Sequence, residues 1–519
     1  MRKANSDIVN HLAQTPDLGD LPDEEFRRLL HEVADWVADY RAGIASRRVV
    51  PEHSPGATLS QLPDAPPEVA QSMDEILRDF DRIIMPGIVH WGHPAFLGYF
   101  ATTTTAPGIL GEMLAAALNV SAMTWQTSPA ATELESVVLD WIRQMLGLPT
   151  DFQGVVYDTA SVAVLHALAA AREELGFDVR RAGLAGRADV PALTLYASDQ
   201  AHSSLEKAAI TLGLGEANVR RVASDDEYRM DVAALNRAIE QDERAGLRPL
   251  AVVATVGTTS ATSVDPVSAI ADLCREHRVW LHVDAAYGGA MALLEEGRDL
   301  MRGVERADSV VFNPHKWLFV PLDFSTLYVR RPEALRRVFS LVPEYLRGDA
   351  ERAGQSMPNY MDYGIQLGRR FRALKAWFVI RAFGREGLAA RVREACRLAR
   401  LVAEWVNADE RFELLAPVLM GVVCFRARAS SGEVETLSGG LKEDVTDEAA
   451  GEAVDEFNER LLARINATGA TYLTRTRLRG RLALRIAVGN VLTDERHLAQ
   501  AWKVVCLEHA ALLSSLTRP

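Results

Sequence analysis

Ser309-Val-Val-Phe-Asn313-Pro-His315-Lys316-Trp317 decides how this chain is read. β-Branched Val310 and Val311 with Phe312 suit a buried strand, and Pro314 disfavours helix through Asn313, so the chain turns and sets Lys316 at the mouth of a sheet. The lysines are Lys3, Lys207, Lys316, Lys375, Lys442 and Lys503, and arginine supplies nearly all the other positive charge. A lysine here therefore points to a need that arginine cannot meet, an amine able to lose its proton. Among apolar groups or near another cation such an amine becomes a nucleophile toward carbonyls, whereas a guanidinium stays charged and forms no Schiff base.

Upstream, Trp280-Leu-His-Val-Asp284-Ala-Ala286-Tyr-Gly-Gly is a second apolar strand, ending in a carboxylate followed by small residues. An amine and a carboxylate on neighbouring strand ends meet the requirements of pyridoxal phosphate (PLP). The amine holds the aldehyde, and the acid keeps the pyridine nitrogen protonated so that the ring accepts electrons. Further strands end in the same style. Gly154-Val-Val-Tyr157-Asp runs into Thr159-Ala160-Ser161 and an Ala-rich helix from Val162 to Leu175, where hydroxyls and free N–H groups could seat a phosphate or serve only as an N-cap. Leu193 to Ser198 leads to His202, whose flat ring could stack on a heteroaromatic cofactor; a structural role is the alternative. Leu250 to Val256 ends in Gly257-Thr258-Thr259. Strands and helices alternate from Gly154 to Val329, which predicts an α/β core with a mostly parallel sheet and functional groups at strand ends. No Gly-x-Gly-x-x-Gly or Gly-Lys-Ser fingerprint is present, which argues against NAD and ATP enzymes.

The flanks have a different character. Phe26, Leu29, Leu30, Val33, Trp36 and Val37 recur at helical spacing behind an acidic first turn, giving an amphipathic helix suited to packing on a partner subunit. Val50 to Pro67 reads as an extended linker, and Met73 starts another helix. His90 and His93 lie three apart, but Pro94 and the lack of a nearby carboxylate or thiol favour a hydrogen-bonded turn over a metal site. Phe96 to Thr102 is aromatic and β-prone, open to both a pocket wall and a core strand. Leu341 to Pro358 resembles a mobile loop that closes over active sites, Gly368-Arg369-Arg370-Phe371 is expected to enter a helix, and residues 430–450 read as a solvated insertion. Arg485 sits inside an apolar strand, either as a core ion pair or as a hand for a carboxylate.

With 519 residues, 48% of them apolar, the chain can bury a large core in two or three domains. A net charge of -13 disfavours nucleic acid and anionic membrane as partners, and a small polar substrate fits better. No apolar run long enough to span a membrane and no signal-peptide core is seen. Cys274, Cys396, Cys424 and Cys506 form no Cys-x-x-Cys pair and read as thiols in a reducing cytoplasm.

The constellation Asn313-Pro-His-Lys-Trp317, His282-Val-Asp-Ala-Ala-Tyr287, Ser198 to Ser204, Thr127 to Glu135 and Leu367-Gly-Arg-Arg-Phe371 resembles the group II PLP-dependent amino acid decarboxylases, in their aromatic-L-amino-acid branch. The resemblance runs from about Phe26 to Trp502. It implies a type I aminotransferase-like fold in an obligate homodimer: an N-terminal arm (1–103), a large PLP domain (104–391) with a mixed, mostly parallel sheet, and a small C-terminal α/β domain (392–519). By position it implies Lys316 as the Schiff-base lysine, Asp284 as the pyridinium partner, His202 as the stacking ring and Tyr345 as the proton donor. Thr159, Ala160, Ser161 and Asn313 are implied as phosphate contacts, Thr259 and Ala286 as ring neighbours and His315 as a further cofactor-site residue. Tyr99, Phe100, Thr102, Met123, Gly368 and Arg485 are implied for the substrate. Ser121 and Met123 depart from the larger apolar residues of animal members, and the Thr102 to Thr105 run departs from the usual small-residue series, which bears on the side chain accepted. The implied reaction is decarboxylation of an aromatic L-amino acid. Alternatives are a decarboxylase for histidine or glutamate, an aldehyde synthase, and a non-enzymatic PLP-binding scaffold.

Overall fold

The computed structural model describes residues 19–100, 103–341, 357–428 and 447–516. The chain divides into one compact unit ending at Val89 and another from His90 onward. In the first, helix α1 (Asp23–Gly43) carries Asp23, Glu24 and Glu25 at its positive end and Arg41 in its last turn, the charge order its dipole favours. Leu29 is buried, whereas Phe26, Leu30 and Val33 are exposed. Helix α2 (Met73–Asp79) opens on a capping box between Ser72 and Glu75, and Arg28 of α1 pairs with its Asp74 at 2.8 Å.

The second unit is built on a seven-stranded sheet: β1 (Gln153–Tyr157), β2 (Leu193–Ser198), β3 (Val219–Val222), β4 (Arg248–Thr255), β5 (Trp280–Asp284), β6 (Ser309–Phe312) and β7 (Ser325–Val329), in the order β1-β7-β6-β5-β4-β2-β3. Strands β3, β2, β4, β5 and β6 run parallel, and β7 is antiparallel to both β6 and β1. The C-terminal ends of β1, β2, β4, β5 and β6 and the start of β7 therefore share one edge. Helices α3 (Ala106–Leu118), α4 (Pro129–Leu146), α5 (Ala160–Glu174) and α6 (Ser204–Thr211) are among those around the sheet. A parallel sheet covered on both faces needs apolar residues on both, and every residue of β2, β5 and β6 is buried.

A second, antiparallel sheet has the order β10-β11-β9-β8, from β8 (Phe412–Leu414), β9 (Val422–Ala427), β10 (Thr474–Leu478) and β11 (Arg481–Ala487). Residues just after His90 are tied to this part of the chain: Leu97 N donates to Tyr472 O, Ala487 N to Leu97 O, and Asn490 Nδ2 to Gly92 O, each at 2.9 Å. No helix among the described residues is long and apolar enough to cross a membrane.

Two expectations change. Phe96 to Phe100 is not a strand: Phe96 makes one bridge to Tyr472, and Tyr99 adopts φ 50°, which ends any extended run. The long helix begins at Ala373, not at Gly368, because Arg370 is engaged in a bridge with Ser121. Of the expected loop, residues 342–356 lie outside the described residues, as does most of the expected insertion; from Asp447 the chain is helix.

Candidate active site

The sheet edge gathers most of the expected residues. After β6, Asn313 turns the chain and Pro314 starts a single helical turn, Pro314–Trp317, with proline where its missing N–H costs nothing. Asn313 N donates to Ala286 O at 3.2 Å, and its Oδ1 accepts from Ser325 Oγ at 2.6 Å. His315 is buried and uses Nδ1 to accept Phe324 N at 3.1 Å; burial, then the Lys316 charge, lower its pKa to about 3, so it is a neutral structural ring. Ser325 and Phe324, which hold this turn, carry no sequence signal beyond starting a strand.

Lys316 projects from that turn. Burial holds its pKa below the usual lysine range; Asp284 opposes this and Arg485 adds to it. Its Nζ lies 4.7 Å from the Phe100 ring centroid, and the Arg485 guanidinium lies at the same distance from that ring. Phe100 stacks on Tyr287 (4.0 Å), which stacks on Trp317 (4.3 Å), so the column joins the segments bearing Lys316 and Asp284.

Asp284 ends β5, and its Oδ1 accepts Ala286 N at 3.0 Å. Ala286 is buried beside it. The following segment passes close to the end of β4: a Cβ on Gly288 would lie 2.4 Å from Val256 O, and Gly257 has φ 86°, so both positions need glycine. This approach sets Thr258 and Thr259 at the same edge. Thr258 is buried in hydrogen bonds to Ser263, and Thr259 is exposed.

His202 lies between β2 and α6, with Nδ1 accepting Ser204 N at 3.1 Å. His202 is exposed, yet its pKa is lowered, first by lost hydration and then through the balance of Asp284 against Lys316 and Lys207. Thr159 is the N-cap of α5 and makes no side-chain cap; its hydroxyl and N–H turn to Asp158. Thr159 and Ser161 are exposed and Ala160 half-buried, so the positive end of a 15-residue helix opens at this edge.

Arg485, in β11, is 3% exposed. Its Nε donates to Ser260 O at 3.3 Å and one Nη to Tyr99 O, while its other Nη has no partner among the described residues. No acid pairs with it among the described residues, which leaves a buried cation with a free donor there. Tyr99 is half exposed, its ring stacked on Trp91 at 5.4 Å and its hydroxyl 3.4 Å from that of Tyr472, a neighbour the sequence did not single out.

Met123 and Gly368 lie on segments bonded to each other: Ala122 N donates to Arg369 O (2.7 Å), Met361 N to Met123 O (3.1 Å) and Arg369 N to Ser121 Oγ (3.3 Å). Gly368 is exposed. Thr102 and Tyr345 lie outside the described residues.

The donor set fits PLP. An uncapped helix end with hydroxyls suits a phosphate, a carboxylate beside a small residue suits a protonated ring nitrogen, and an amine with a lowered pKa suits an aldehyde.

Comparison with known proteins agrees. The pyridoxal-dependent decarboxylase conserved domain matches residues 55–428. The chain is 38% identical over 495 residues to tryptophan decarboxylase 1 of Oryza sativa subsp. japonica, covering 93% of each chain. It is 39% identical over 501 residues to aromatic-L-amino-acid decarboxylase of Sus scrofa, covering 95% of this chain and 97% of that one. A crystal structure of Oryza sativa TDC with PLP and tryptamine superimposes with TM-score 0.87 at 37% identity, covering 96% of this chain and all of the other. The chain thus belongs to the pyridoxal-dependent decarboxylase family.

Proposed function

We propose that this protein removes carbon dioxide from an aromatic L-amino acid (tryptophan, tyrosine, phenylalanine or dihydroxyphenylalanine) and releases the amine. The observation that carries this reading is the placement of Lys316, Asp284 and Arg485 around Phe100 and Ala286 at one sheet edge, with the open end of α5 beside them. When bound, PLP supplies the electron sink that makes loss of carbon dioxide from the α-carbon possible. Lys316, its pKa lowered by burial, would offer the amine for its aldehyde. Asp284 would hold a proton on its ring nitrogen, His202 would cover its face, and Thr259 and Ala286 would flank it. Thr159, Ala160, Ser161 and Asn313 would hold its phosphate. The free donor of Arg485 takes the substrate carboxylate, and Tyr99 and Phe100 bound the space for the side chain. Tyr345 and Thr102 are assigned from sequence alone, Tyr345 to return a proton to Cα.

The parts proposed are an arm (1–103), a large PLP domain (104–391) and a small domain (392–519), working as a cytoplasmic homodimer. Exposed Phe26, Leu30 and Val33 on α1, and Leu110, Met113, Leu114 and Leu118 on α3, support a second copy as the partner. Met123 and the exposed Gly368 would then line a substrate pocket completed by the second copy.

The test is incubation of the PLP-loaded protein with a panel of L-amino acids, with products identified by mass. Amines from aromatic substrates are expected. Amines from histidine or glutamate alone, aldehyde with peroxide, or no turnover would each replace the reading by one of its alternatives. Tyr345→Phe should lose most amine and gain aldehyde, ammonia and peroxide in air; equal slowing of all products would move the proton-donor role elsewhere.

A further inference from the structure

Trp280, His282 and Asp284 alternate along β5 and so project to the same face of the strand. All three are buried, and His282 is completely so. Ser309, the register partner of His282 on β6, joins the first two: Trp280 Nε1 and His282 Nδ1 each lie 2.8 Å from its Oγ. An indole N–H can only donate, so Ser309 Oγ accepts from Trp280 with one lone pair. A hydroxyl keeps a second lone pair as well as its hydrogen, so the contact allows His282 Nδ1 either role; the tautomer that uses the hydroxyl hydrogen has Nδ1 accepting and the ring proton on Nε2. Burial, against the opposing charge of Asp284, lowers the pKa of His282 to about 4, so the ring is neutral near neutral pH and carries one proton.

His282 Nε2 is buried and has no partner among the described residues. A polar atom left unpaired at such depth is rare enough to require an explanation. The adjacent same-face position on the strand is Asp284, of whose two oxygens Oδ1 accepts from Ala286 N. We propose that His282 carries its proton on Nε2 and is a positioning residue: this N–H, aimed by Ser309 and Trp280, donates through one water to Asp284 and fixes the carboxylate that keeps the PLP ring nitrogen protonated. The proposal rests on the assignment of Asp284 given above. An alternative is a core histidine that only supports β5 against β6.

The two readings separate by amide mimicry. A glutamine side chain places its N–H₂ near the position of imidazole Nε2, whereas asparagine reaches only the position of Nδ1. The readouts are the nitrogen chemical shift of the pyridine in protein loaded with ¹⁵N-labelled PLP, and the affinity of the apo-protein for PLP by equilibrium dialysis. Wild type and His282→Gln should show a protonated ring nitrogen at neutral pH. His282→Asn should move the shift toward the unprotonated form and weaken PLP binding on the order of tenfold, the scale of losing a partner behind a ligand group. Ser309→Ala, which frees the tautomer but keeps the imidazole, should give a smaller change in the same direction. A wild-type shift in His282→Asn overturns the proposal, as does equal loss in the Gln and Asn variants, which would mark a structural role. If His282→Asn does not fold, an unchanged shift in Ser309→Ala overturns it. A wild-type protein with PLP bound but its ring nitrogen unprotonated would overturn the Asp284 assignment itself.

Discussion

The Arg485 guanidinium donates to the carbonyl of Tyr99, and Tyr99 holds a left-handed backbone, φ 50°, that aims this carbonyl. One arginine of the small sheet thereby fixes the turn that places Phe100 beside Lys316, while Cys424 Sγ (3.1 Å) and Arg485 Nε (3.3 Å) both donate to Ser260 O, just past Thr259. Arg485→Met should raise the KM for the amino acid on the order of 10- to 100-fold, the scale of one charge-assisted hydrogen bond. It should also remove a cation that holds the Lys316 pKa down. The sign follows: with a higher pKa the amine is free only at higher pH, so covalent capture of PLP by the apo-variant should shift to more alkaline pH. Stopped-flow absorbance across pH measures it, and an unchanged profile would remove Arg485 from the electrostatics of the amine.

Lys316→Ala should abolish the borohydride-reducible link to PLP together with turnover. Asp284→Ala should keep the link and lose turnover, since the ring nitrogen then has no partner to hold its proton. Mass spectrometry of the reduced proteins, beside an amine assay, reads both.

Gly368→Ser should leave folding stability within about 0.5 kcal/mol of wild type, because a Cβ there meets nothing within 4 Å in its own chain. If a second copy's pocket is what this residue lines, the ratio of kcat/KM for tryptophan over tyrosine should fall about tenfold, the scale of one misplaced heavy atom in a pocket. Equal effects on both substrates, measured in a mixed-substrate assay, would exclude that role.

Arg369→Ala should destabilise the fold by about 3–5 kcal/mol in denaturant unfolding, because it strands Glu135 as a buried charge. The pair is 5% and 2% exposed, bidentate at 3.1 and 2.5 Å, and Arg369 also donates to Ala122 O and Val156 O at 3.0 Å each. Glu135→Gln in the same background should recover part of the loss, since a neutral amide does not demand a counter-charge.

The run Val310-Val311-Phe312 ending at Asn313-Pro314, and Trp280 to Val283 ending at Asp284, determined by themselves that two buried strands each end in a reactive group, an amine and a carboxylate. Apolar continuity and a helix-disfavouring proline are local properties, and they act wherever the strands come to lie. The α/β alternation and the expected parallel sheet are legible for the same reason. Tertiary structure alone decided the rest. That Arg485, more than 200 residues away along the chain from Ser260, meets it without an acid depends on how β11 packs, and hydrogen bonding across such a separation leaves no periodic trace in sequence. The left-handed turn at Tyr99 overrode the strand propensity of Phe96 to Phe100, because tertiary hydrogen bonds outweigh the small differences in intrinsic preference. The pairing of Trp280 and His282 through Ser309 likewise required the register of β5 on β6, which no single strand encodes.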